Sequence, residues 1–513
     1  MNLLIDPWVP VQNAGKTTLI GLQDVLTSDE NHQIVLPRDD MELACLQLLI
    51  CLTQVLFLPE DSGAWKRRIK TPLDADGYIA GIERYIDWFD LNHPEWPFMQ
   101  TRRVSAKEIT PIQKLFIGLP EGNNHSFFND PGEIECVGLA AAAIALFNQA
   151  MNAPSFGGGF KSGFRGGAPI TTFMSCDSLR HTIWFNVLHR QSLLKIMPSY
   201  EKLEEDDKPV WVEPIKPKSN ISADHIGLMR GLFWQPAHVE LCIVDQKAFC
   251  GLTGLPADYS VVGFRKEKFG NVSTGGFEVT GTWLHPHSPW RVDIRNQTTR
   301  FLSFANTDPA WTLLNNFLVQ YEDARQSHSP ASVVKQYRSD LASPVHIIVA
   351  GYKTAKRKQA LVEQRRHELI PISLGWEGDI NFILAVTQMG LDIMRSFKSV
   401  LFKFGEDVGV AKEKPKKQQN RSLPKEDNHE GMHVLAVQTF FRQSEQPIYR
   451  CLTEVGSPLT GVSVRNLANE LTEICWRIFE QVTRPYAHDP RMIKALAVAR
   501  ITLGSAFEKL KET

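Results

Sequence analysis

Apolar residues recur at helical spacing along four segments of the C-terminal part of the chain. Apolar positions three or four residues apart are typical of amphipathic helices that bury one face. The predicted helices are Asp379–Phe404, Met432–Glu445, Ser463–Val482 and Pro490–Leu510. For the last helix, Asp489 is the predicted cap, and the predicted buried stripe comprises Ile493, Leu496, Ala497, Ile501 and Leu503 or Phe507. Four amphipathic helices in series predict a four-helix bundle.

Upstream of Trp376 the pattern is irregular, with short β-like and helical segments and many loops containing Pro, Trp and His. The predicted helices are Met41–Leu56 and Leu139–Met151, and the predicted strands are Leu3–Val9, Gln33–Leu36, Tyr259–Phe269 and Phe277–Leu284. The last two strands are joined by the turn-rich segment Gly270–Gly276, which predicts a β-hairpin. The predicted fold class is therefore α+β.

The domain organisation follows from this change of pattern. We predict a large irregular mixed α/β domain at residues 1–375 and a four-helix bundle at residues 376–513. A polar, lysine-rich segment at about residues 410–431 predicts a mobile basic loop within the bundle.

Composition narrows the class of protein. At 513 residues, two or more domains are expected, and 43% apolar residues with twelve tryptophans indicate a well-buried globular protein. The formal net charge is −1, so binding of nucleic acid would have to rest on local patches or on partner subunits.

Cysteine usage and the apolar segments indicate the compartment. None of the eight cysteines forms a Cys-x-x-Cys pair, which suits reduced thiols in the cytosol. The first residues show no export signal, and apolar runs such as Leu46–Leu52 are too short to span a bilayer. The sequence therefore predicts a cytoplasmic protein that is not bound to a membrane.

The segment Phe156–Gly167 has glycine at six of its twelve positions. Glycine is costly in chain entropy, but it allows a backbone to approach a ligand closely. Lys161 and Arg165 are candidates to contact phosphates, and the phenylalanines of the segment are candidates to anchor it by burial. The segment is therefore either a flexible connecting loop or a place of close contact with nucleic acid.

Two further basic segments have the same two interpretations. In Phe264–Phe269, alternation places Phe264, Lys266 and Lys268 on one face of a strand, whose exposed end could enter a narrow groove. Six basic residues lie between Lys353 and Arg366, with the uncharged Gln359 among them. Each segment is either a solvated surface or a contact for phosphates.

Catalytic and metal-binding patterns are weak. Gly15-Lys16-Thr17-Thr18 resembles the end of a phosphate-binding loop, but position 10 is proline where that motif needs glycine, so a surface turn is favoured. His285 and His287 lie in a proline-rich turn without zinc-like ligand spacing. A nucleotide-dependent enzyme that processes nucleic acid through Gly15 and Lys16 stays the alternative to a non-catalytic protein.

Several segments together carry a resemblance to a known family. They are Asn2–Asp6, Leu36–Leu43, Pro97–Gln100, Ile144–Gln149, Gly157–Gly163, Arg230–His238, His285–Pro289 and Pro485–His488. In this order they resemble the CasA family, the large subunit of the type I-E CRISPR surveillance complex Cascade. The resemblance implies an N-terminal α+β domain followed by a four-helix bundle.

The resemblance also implies a function without catalysis. A CasA-like chain is expected to recognise the protospacer-adjacent motif (PAM) of double-stranded DNA through the minor groove. It is expected to start duplex unwinding for R-loop formation and to help recruit a helicase–nuclease. The implied partners are the target DNA, the CRISPR guide RNA, the small subunit CasB, the backbone subunit CasC, and the subunits CasD and CasE.

Individual residues take roles from the resemblance. The implied DNA-motif contacts are Ser155, Gly157, Gly158, Gly159, Lys268 and Gln359, the last as a wedge that parts the first base pairs. The implied contacts to nucleic-acid backbone or to the guide-RNA handle are Phe127, Asn129, Lys161, Arg165, Lys353, Lys356, Arg357 and Lys358.

Two departures from the family pattern matter. Ser155 stands where the family is expected to have another glycine. Some relatives bind zinc through two Cys-x-x-Cys pairs, whereas Gly138 and Ala141 stand at the first pair here and only Cys250 remains at the second. No metal and no cofactor are therefore predicted.

Overall fold

The computed structural model describes residues 1–513 except 14, 120–131, 271–275, 305–307, 323–325, 342, 356–357, 373–379, 409–430, 455–459 and 513. The chain divides into two compact units. The first comprises Met1–Asn306, Gln320–Leu341 and His346–Leu369, and the second comprises Thr307–Val319, Ala342–Val345 and Ile370–Thr513. The first unit mixes helices and strands, and the second is mainly helical.

Before residue 373, the described α-helices alternate irregularly with strands, and the short 3₁₀ helices are not numbered. They are α1 (Leu22–Thr27), α2 (Asp39–Leu56), α3 (Ser62–Lys70), α4 (Ala75–Ile82), α5 (Leu139–Met151), α6 (Leu179–Phe185), α7 (Arg190–Ile196), α8 (Tyr200–Leu203), α9 (Leu228–Leu232), α10 (Leu314–Leu318) and α11 (Ser332–Asp340). Those after residue 379 are α12 (Ile380–Asp407), α13 (Met432–Leu452), α14 (Thr460–Thr483) and α15 (Ile493–Glu512).

The strands form several small sheets. They are β1 (Val9–Asn13), β2 (Lys16–Ile20), β3 (Gln33–Ile34), β4 (Thr110–Pro111), β5 (Val137–Gly138), β6 (Thr171–Ser175), β7 (Ser219–Ser222), β8 (His238–Val244), β9 (Ala248–Phe249), β10 (Pro256–Ala257), β11 (Ser260–Glu267), β12 (Phe277–Thr280), β13 (Trp290–Asp293), β14 (Thr298–Phe301), β15 (Tyr321–Glu322), β16 (Gln326–Ser329), β17 (Val345–Ala355) and β18 (Lys358–Ile372). This mixture, together with the helical C-terminal part, confirms the predicted α+β fold class.

Strand β11 is the centre of the sheet closest to the glycine-rich segment. It pairs with β8 along one edge as far as Glu267, and on the other edge β5 pairs with Ser260 and Val261 and β4 with Gly263 and Phe264. Strand β12 pairs instead with β7, in parallel. The predicted β-hairpin between β11 and β12 was therefore wrong, because the partner of β11 as far as Glu267 is β8 and the partner of β12 is β7.

Helices α2 and α5 and strand β17 form a common core in the first unit. The Tyr352 hydroxyl of β17 donates to Asp40 of α2 (3.0 Å) and accepts from Asn148 of α5 (3.0 Å). Arg38 donates twice to the Asp40 carboxylate, at 2.7 and 3.0 Å. These bonds satisfy polar groups that would otherwise be costly to bury. They fix the helix from which the glycine-rich segment departs.

The predicted strand Leu3–Val9 was wrong in extent. The chain turns there, because the Asn2 side chain accepts from the Leu4 N–H (2.9 Å) and the Asn2 carbonyl accepts from the Asp6 N–H (2.8 Å). The strand begins only at Val9.

The four C-terminal helices pack against one another as the predicted bundle. Helix α13 continues past the predicted end at Glu445 and contains Pro447 within it. The segment Thr307–Val319 belongs to the same unit because Trp311 packs edge-on against Phe441, with ring centroids 6.0 Å apart. In the described part of the chain, no helix combines the length and apolar character needed to span a membrane.

Candidate nucleic-acid interface

The glycine-rich loop, residues 153–168, follows the end of α5. Its second half, residues 160–168, is fixed by the buried guanidinium of Arg165. Arg165 donates to the Met151 carbonyl (2.9 Å) and to Asn152 Oδ1 (2.5 Å) at the end of α5. It also donates to the hydroxyls of Thr171 and Ser288, both at 2.8 Å. Burial lowers its pKa to about 9, which leaves the group charged at neutral pH.

These contacts overturn one predicted role. Only 4% of Arg165 is exposed, so its guanidinium cannot reach a phosphate in this structure. The prediction that Arg165 contacts nucleic-acid backbone was therefore wrong, because the side chain points inward and ties the loop to α5 and β6.

Close packing fixes the same half of the loop. A Cβ placed on Gly163 would lie 2.6 Å from the Ala150 carbonyl oxygen, so only glycine fits against the helix end. The Phe164 ring stacks on Trp234 with centroids 4.1 Å apart. The second half of the loop is therefore part of the packed protein rather than a flexible connection.

The first half of the loop presents bare backbone to solvent. Gly158 is exposed, and a Cβ placed there would have no heavy atom within 4 Å. Gly157 and Gly159 have φ values of +121° and +86°, which residues with a side chain rarely adopt. Ser155 precedes this tip, and its hydroxyl donates to the Gly157 carbonyl at 3.4 Å.

Lys268 lies on the glycine tip. A Cβ placed on Gly159 would lie 3.3 Å from both Cδ and Nζ of Lys268, so the lysine stem rests on the backbone there. The neighbouring Glu267 points elsewhere and accepts from the N–H and hydroxyl of Ser105, at 3.2 and 2.8 Å. The structure thus brings the glycine tip and Lys268 together, although Gly159 and Lys268 are 109 positions apart in the sequence. The resemblance gives both a role in contacting the DNA motif.

Phenylalanines support the tip from β11. Phe156 packs on Phe160 and on Phe264, with centroids 5.6 and 5.7 Å apart. The Lys266 ammonium lies over the rings of Phe156 and Phe264, at 5.3 and 5.8 Å from their centroids. The phenylalanines of the loop thus pack on neighbouring rings as predicted but are half-buried rather than buried, and Phe264 and Lys266 share the predicted face.

Lys161 follows the tip and is half-buried. Its ammonium lies 4.8 Å from the centroid of the Phe277 ring on β12, a cation–π contact that orients the side chain. Its predicted contact with nucleic-acid backbone stays a prediction.

Gln359 lies in β18, which neighbours β17 in the sheet. Three residues further along this strand, Val362 packs on a cluster that includes Ala153 and Ala168, the two ends of the glycine-rich loop. The strand that carries Gln359 is therefore attached to the base of the loop.

Of the other predicted nucleic-acid contacts, the structure describes the side chain of Lys353 but not those of the rest. Lys353 lies on β17 and is half-buried. Phe127, Asn129, Lys356 and Arg357 lie outside the described residues, and so do the side chains of Lys358 and Gln359. Their predicted roles stay predictions.

The end of the basic segment is structural. Arg365 pairs with Asp39 (3.3 Å) and Asp40 (3.7 Å) of α2. Arg366 is buried, pairs with Glu368 and stacks over the Phe304 ring at 4.5 Å. Both arginines therefore attach β18 to its neighbours, Arg366 from a buried position and Arg365 from an exposed one.

His285 and His287 are packed inside the first unit. Their ring centroids lie 4.9 Å apart, and His287 packs edge-on against Phe173 at the same distance. Burial and the nearby charge of Arg165 lower the pKa of His287 to about 3, and burial also lowers that of His285. Across the described residues, His, Cys, Asp and Glu form no group of three or more suited to a metal ion.

The Gly15–Lys16 segment joins two paired strands. Gly15 has φ +79°, Asn13 of β1 pairs with Lys16 of β2, and the next helix begins only at Leu22. A phosphate-binding loop needs its lysine to open a helix, whose first N–H groups hold the phosphate. Lys16 instead opens a strand, so the favoured interpretation as a surface turn is confirmed.

Sequence patterns missed Arg300 and Phe301, which line a groove together with the second half of the glycine-rich loop. They lie on β14, more than 130 positions after the loop. No periodicity or motif connects segments so far apart, so only the fold could reveal them.

Comparison with known proteins gives the family. The family model of CRISPR-associated protein Cse1 matches residues 2–478. CRISPR-associated protein CasA/Cse1 of Thermus thermophilus is 29% identical over 220 residues, a match that spans 42% of this chain and 42% of that relative. By sequence, the chain thus matches less than half the length of that relative.

Solved structures are similar over almost the whole chain. Thermus thermophilus CasA (Cse1) has a TM-score of 0.71 at 17% identity, covering 99% of both chains. Thermobifida fusca Cse1 has a TM-score of 0.73 at 16% identity, covering 100% of this chain and 98% of that one. A chain of a CRISPR RNA-guided surveillance complex has a TM-score of 0.68 at 16% identity, covering 98% and 99%. At these identities the likeness shows a shared fold, and since the family model spans nearly the whole sequence, this chain belongs to the Cse1 (CasA) family of CRISPR-associated proteins.

Proposed function

We propose that this chain is the non-catalytic large subunit of a type I-E CRISPR Cascade complex. In this role it recognises the PAM of double-stranded DNA through the minor groove, starts unwinding for R-loop formation and helps recruit the helicase–nuclease. Its partners are target DNA, guide RNA and the subunits CasB, CasC, CasD and CasE. Membership of the Cse1 family supports this proposal, as does the fold shared with a chain of a CRISPR RNA-guided surveillance complex.

The observation that carries the DNA-reading role is the open glycine tip with Lys268 resting on it. The minor groove of B-DNA is only about 6 Å wide, so bare backbone and a thin lysine stem suit it better than bulky side chains. The base edges there distinguish base pairs poorly, and we therefore expect a tolerant motif. Phe156 and Phe264 beneath the tip keep it in one place, which reduces the entropy lost on binding.

Gln359 is proposed to part the base pairs next to the motif. A wedge has to be held firmly relative to the residues that bind the motif. Val362 supports this role, because from the same strand as Gln359 it packs on the cluster that contains both ends of the glycine-rich loop.

The decisive experiment compares paired and pre-melted target DNA, each with the reconstituted complex. We expect Lys268→Ala to weaken binding of a motif-containing duplex about tenfold or more, because the groove contact is lost. Binding of a target with a bubble beside the motif needs this contact less and should change little. Lys247→Ala is the matched control, because Lys247 is an exposed lysine that pairs with Asp258 beside the β9–β10 pair and not with the glycine tip.

Gln359→Ala should leave binding of the motif intact while slowing the opening of the DNA strands. Initial motif binding should stay as in the wild type, while strand opening, followed with 2-aminopurine fluorescence, should slow. Equal loss of affinity for bubble and duplex in both variants would show that these roles are wrong.

A further inference from the structure

Lys268 lies one residue beyond the end of β11. The pairing of β11 with β8 runs as far as Glu267, which is opposite His238, and Lys268 follows the last residue of that ladder. Its side chain is exposed, yet its stem rests on the backbone of Gly159. A side chain that has to fit a narrow groove needs a base held by its surroundings. The position of Lys268 therefore depends on the residues on either side of it.

The carboxylate of Glu267 attaches the end of β11 to the neighbouring segment 101–105. It accepts hydrogen bonds from the N–H of Ser105 (3.2 Å) and from the hydroxyl of the same residue (2.8 Å). Hydrogen bonds to a charged acceptor are stronger than those between neutral groups. Two of them on one half-buried carboxylate fix the residue immediately before Lys268.

The segment 101–105 is itself held on β8 by other contacts. The Glu240 carboxylate of β8 accepts from the N–H groups of Arg103 and Val104, both at 3.1 Å. The Thr101 N–H donates to a carbonyl of β8 at 2.8 Å. The segment would therefore stay on β8 without its bonds to β11, and it can serve as a fixed support for the end of that strand.

Phe269 fixes the other side of Lys268. Its buried ring lies 4.0 Å from the His238 ring and 5.1 Å from the Phe277 ring, measured between centroids. The His238 Nδ1 atom lies 3.1 Å from the Thr101 hydroxyl, so this contact also leads to the segment 101–105. Both neighbours of Lys268 thus point away from the glycine tip into fixed surroundings, and Lys268 between them points to the tip.

The charge of Glu267 makes its position informative. A carboxylate next to a lysine that contacts DNA repels the phosphates, so its charge alone opposes binding. If Glu267 acted only through its charge, its removal would strengthen binding of any DNA. If it acts by holding Lys268, its removal should instead weaken the reading of the motif. The two roles predict effects of opposite sign.

We propose that Glu267 is a positioning residue for motif reading, which holds Lys268 against the glycine tip by binding Ser105. It acts through Lys268 and makes no contact with DNA itself. This assignment rests on the proposed function, because it takes Lys268 as a residue that reads the motif.

The test uses the full chain in the reconstituted complex and compares affinity for a motif-containing duplex with affinity for a duplex whose motif is altered. Glu267→Ala should lower the ratio of the two affinities about fivefold, because Lys268 loses its fixed base. Glu267→Gln removes the same charge but keeps an oxygen that can accept from Ser105, so it should keep most of the ratio. Ser105→Ala leaves the charge unchanged and should lower the ratio in the same direction as Glu267→Ala.

Two further variants serve as controls. Glu278→Ala removes the charge of an exposed glutamate on β12 and should leave the ratio as in the wild type. Because Glu267 is proposed to act through Lys268, adding Glu267→Ala to Lys268→Ala should cause no further loss of discrimination. Additive losses in this double variant would overturn the positioning role.

The remaining outcomes separate the two proposals. If Glu267→Ala strengthens or weakens binding of both duplexes equally, the residue acts only by its charge or only on stability, and the positioning role is wrong. A lowered ratio in Lys268→Ala with an unchanged ratio in Glu267→Ala also overturns the positioning role, while the motif-reading function stands. An unchanged ratio in Lys268→Ala contradicts the motif-reading function itself.

Discussion

Gly158 and Gly163 lie in the same loop but have opposite surroundings. Space is open around Gly158, whereas Gly163 presses against the Ala150 carbonyl. We expect Gly163→Ala to lower the free energy of unfolding by about 1–3 kcal/mol, since helix backbone cannot move aside easily. Gly158→Ala should change it by less than about 0.5 kcal/mol. Urea denaturation of both variants measures the difference.

For DNA binding we expect the opposite order, with the larger loss of affinity in Gly158→Ala and the smaller in Gly163→Ala. At temperatures where both remain folded, Gly158→Ala should weaken binding of the motif-containing duplex about tenfold, because a methyl group at the tip keeps the backbone from the groove. Gly163→Ala should bind nearly as the wild type. If Gly158→Ala binds normally, the tip does not approach DNA closely.

Single residues show what the sequence could and could not reveal about the site. The loop itself and its aromatic anchors were predictable, because six glycines and three phenylalanines in twelve positions are unusual. Arg165 and Lys161 looked alike in the sequence, yet one is enclosed by hydrogen-bond acceptors and the other lies over a ring near the surface. Only tertiary packing decides which way such a side chain points.

At the scale of whole elements, long helices were predictable and strand pairing was not. Helix α5 has the predicted bounds Leu139–Met151, because Gly138 precedes its apolar run and Pro154 follows it closely. The segment β12 also exists, but its partner β7 lies far earlier in the chain. Local patterns say that a segment is a strand, whereas its partner depends on which edges remain free.

Helix α15 shows how a helix can carry two apolar stripes. Leu503 and Phe507, which end the predicted stripe, are buried in line with Ala499, while Ile493 and Ile501 of the predicted stripe are 55% and 70% exposed. Both stripes repeat every four residues, so spacing alone cannot choose between them.

A pair of variants on α15 tests this orientation. We expect Leu503→Ala to lower the free energy of unfolding by about 2–5 kcal/mol, because it leaves a cavity in the bundle. Ile501→Ala, two positions away on the same helix, should cost less than about 0.5 kcal/mol. Guanidinium denaturation compares them, and a similar loss for both would mean that the stripe through Ile501 is covered in solution.

For the whole molecule, His285 and His287 link stability to pH. Both are buried beside the charged Arg165, and the pKa of His287 is lowered to about 3. In the unfolded chain a histidine has a pKa of about 6.5. As the pH falls below that value, the unfolded chain takes up protons that the folded chain cannot, so the folded state loses stability.

The size of the effect makes it measurable by calorimetry. Between pH 7.5 and pH 5, each histidine that stays neutral in the folded state should lower the free energy of unfolding by about 2 kcal/mol. Carboxylates contribute their own pH dependence, so the informative quantity is the slope of the wild type minus that of His287→Asn. Between pH 7.5 and pH 5, the free energy of unfolding of His287→Asn should fall less than that of the wild type, by the contribution of His287. This holds even if the variant is less stable at pH 7.5. His287 belongs to the first unit, and Leu503→Ala identifies any separate unfolding transition of the bundle. The pH dependence of that bundle transition should be the same in His287→Asn and in the wild type. An unchanged slope for the first unit would mean that His287 is protonated, and therefore reached by water, in the folded protein.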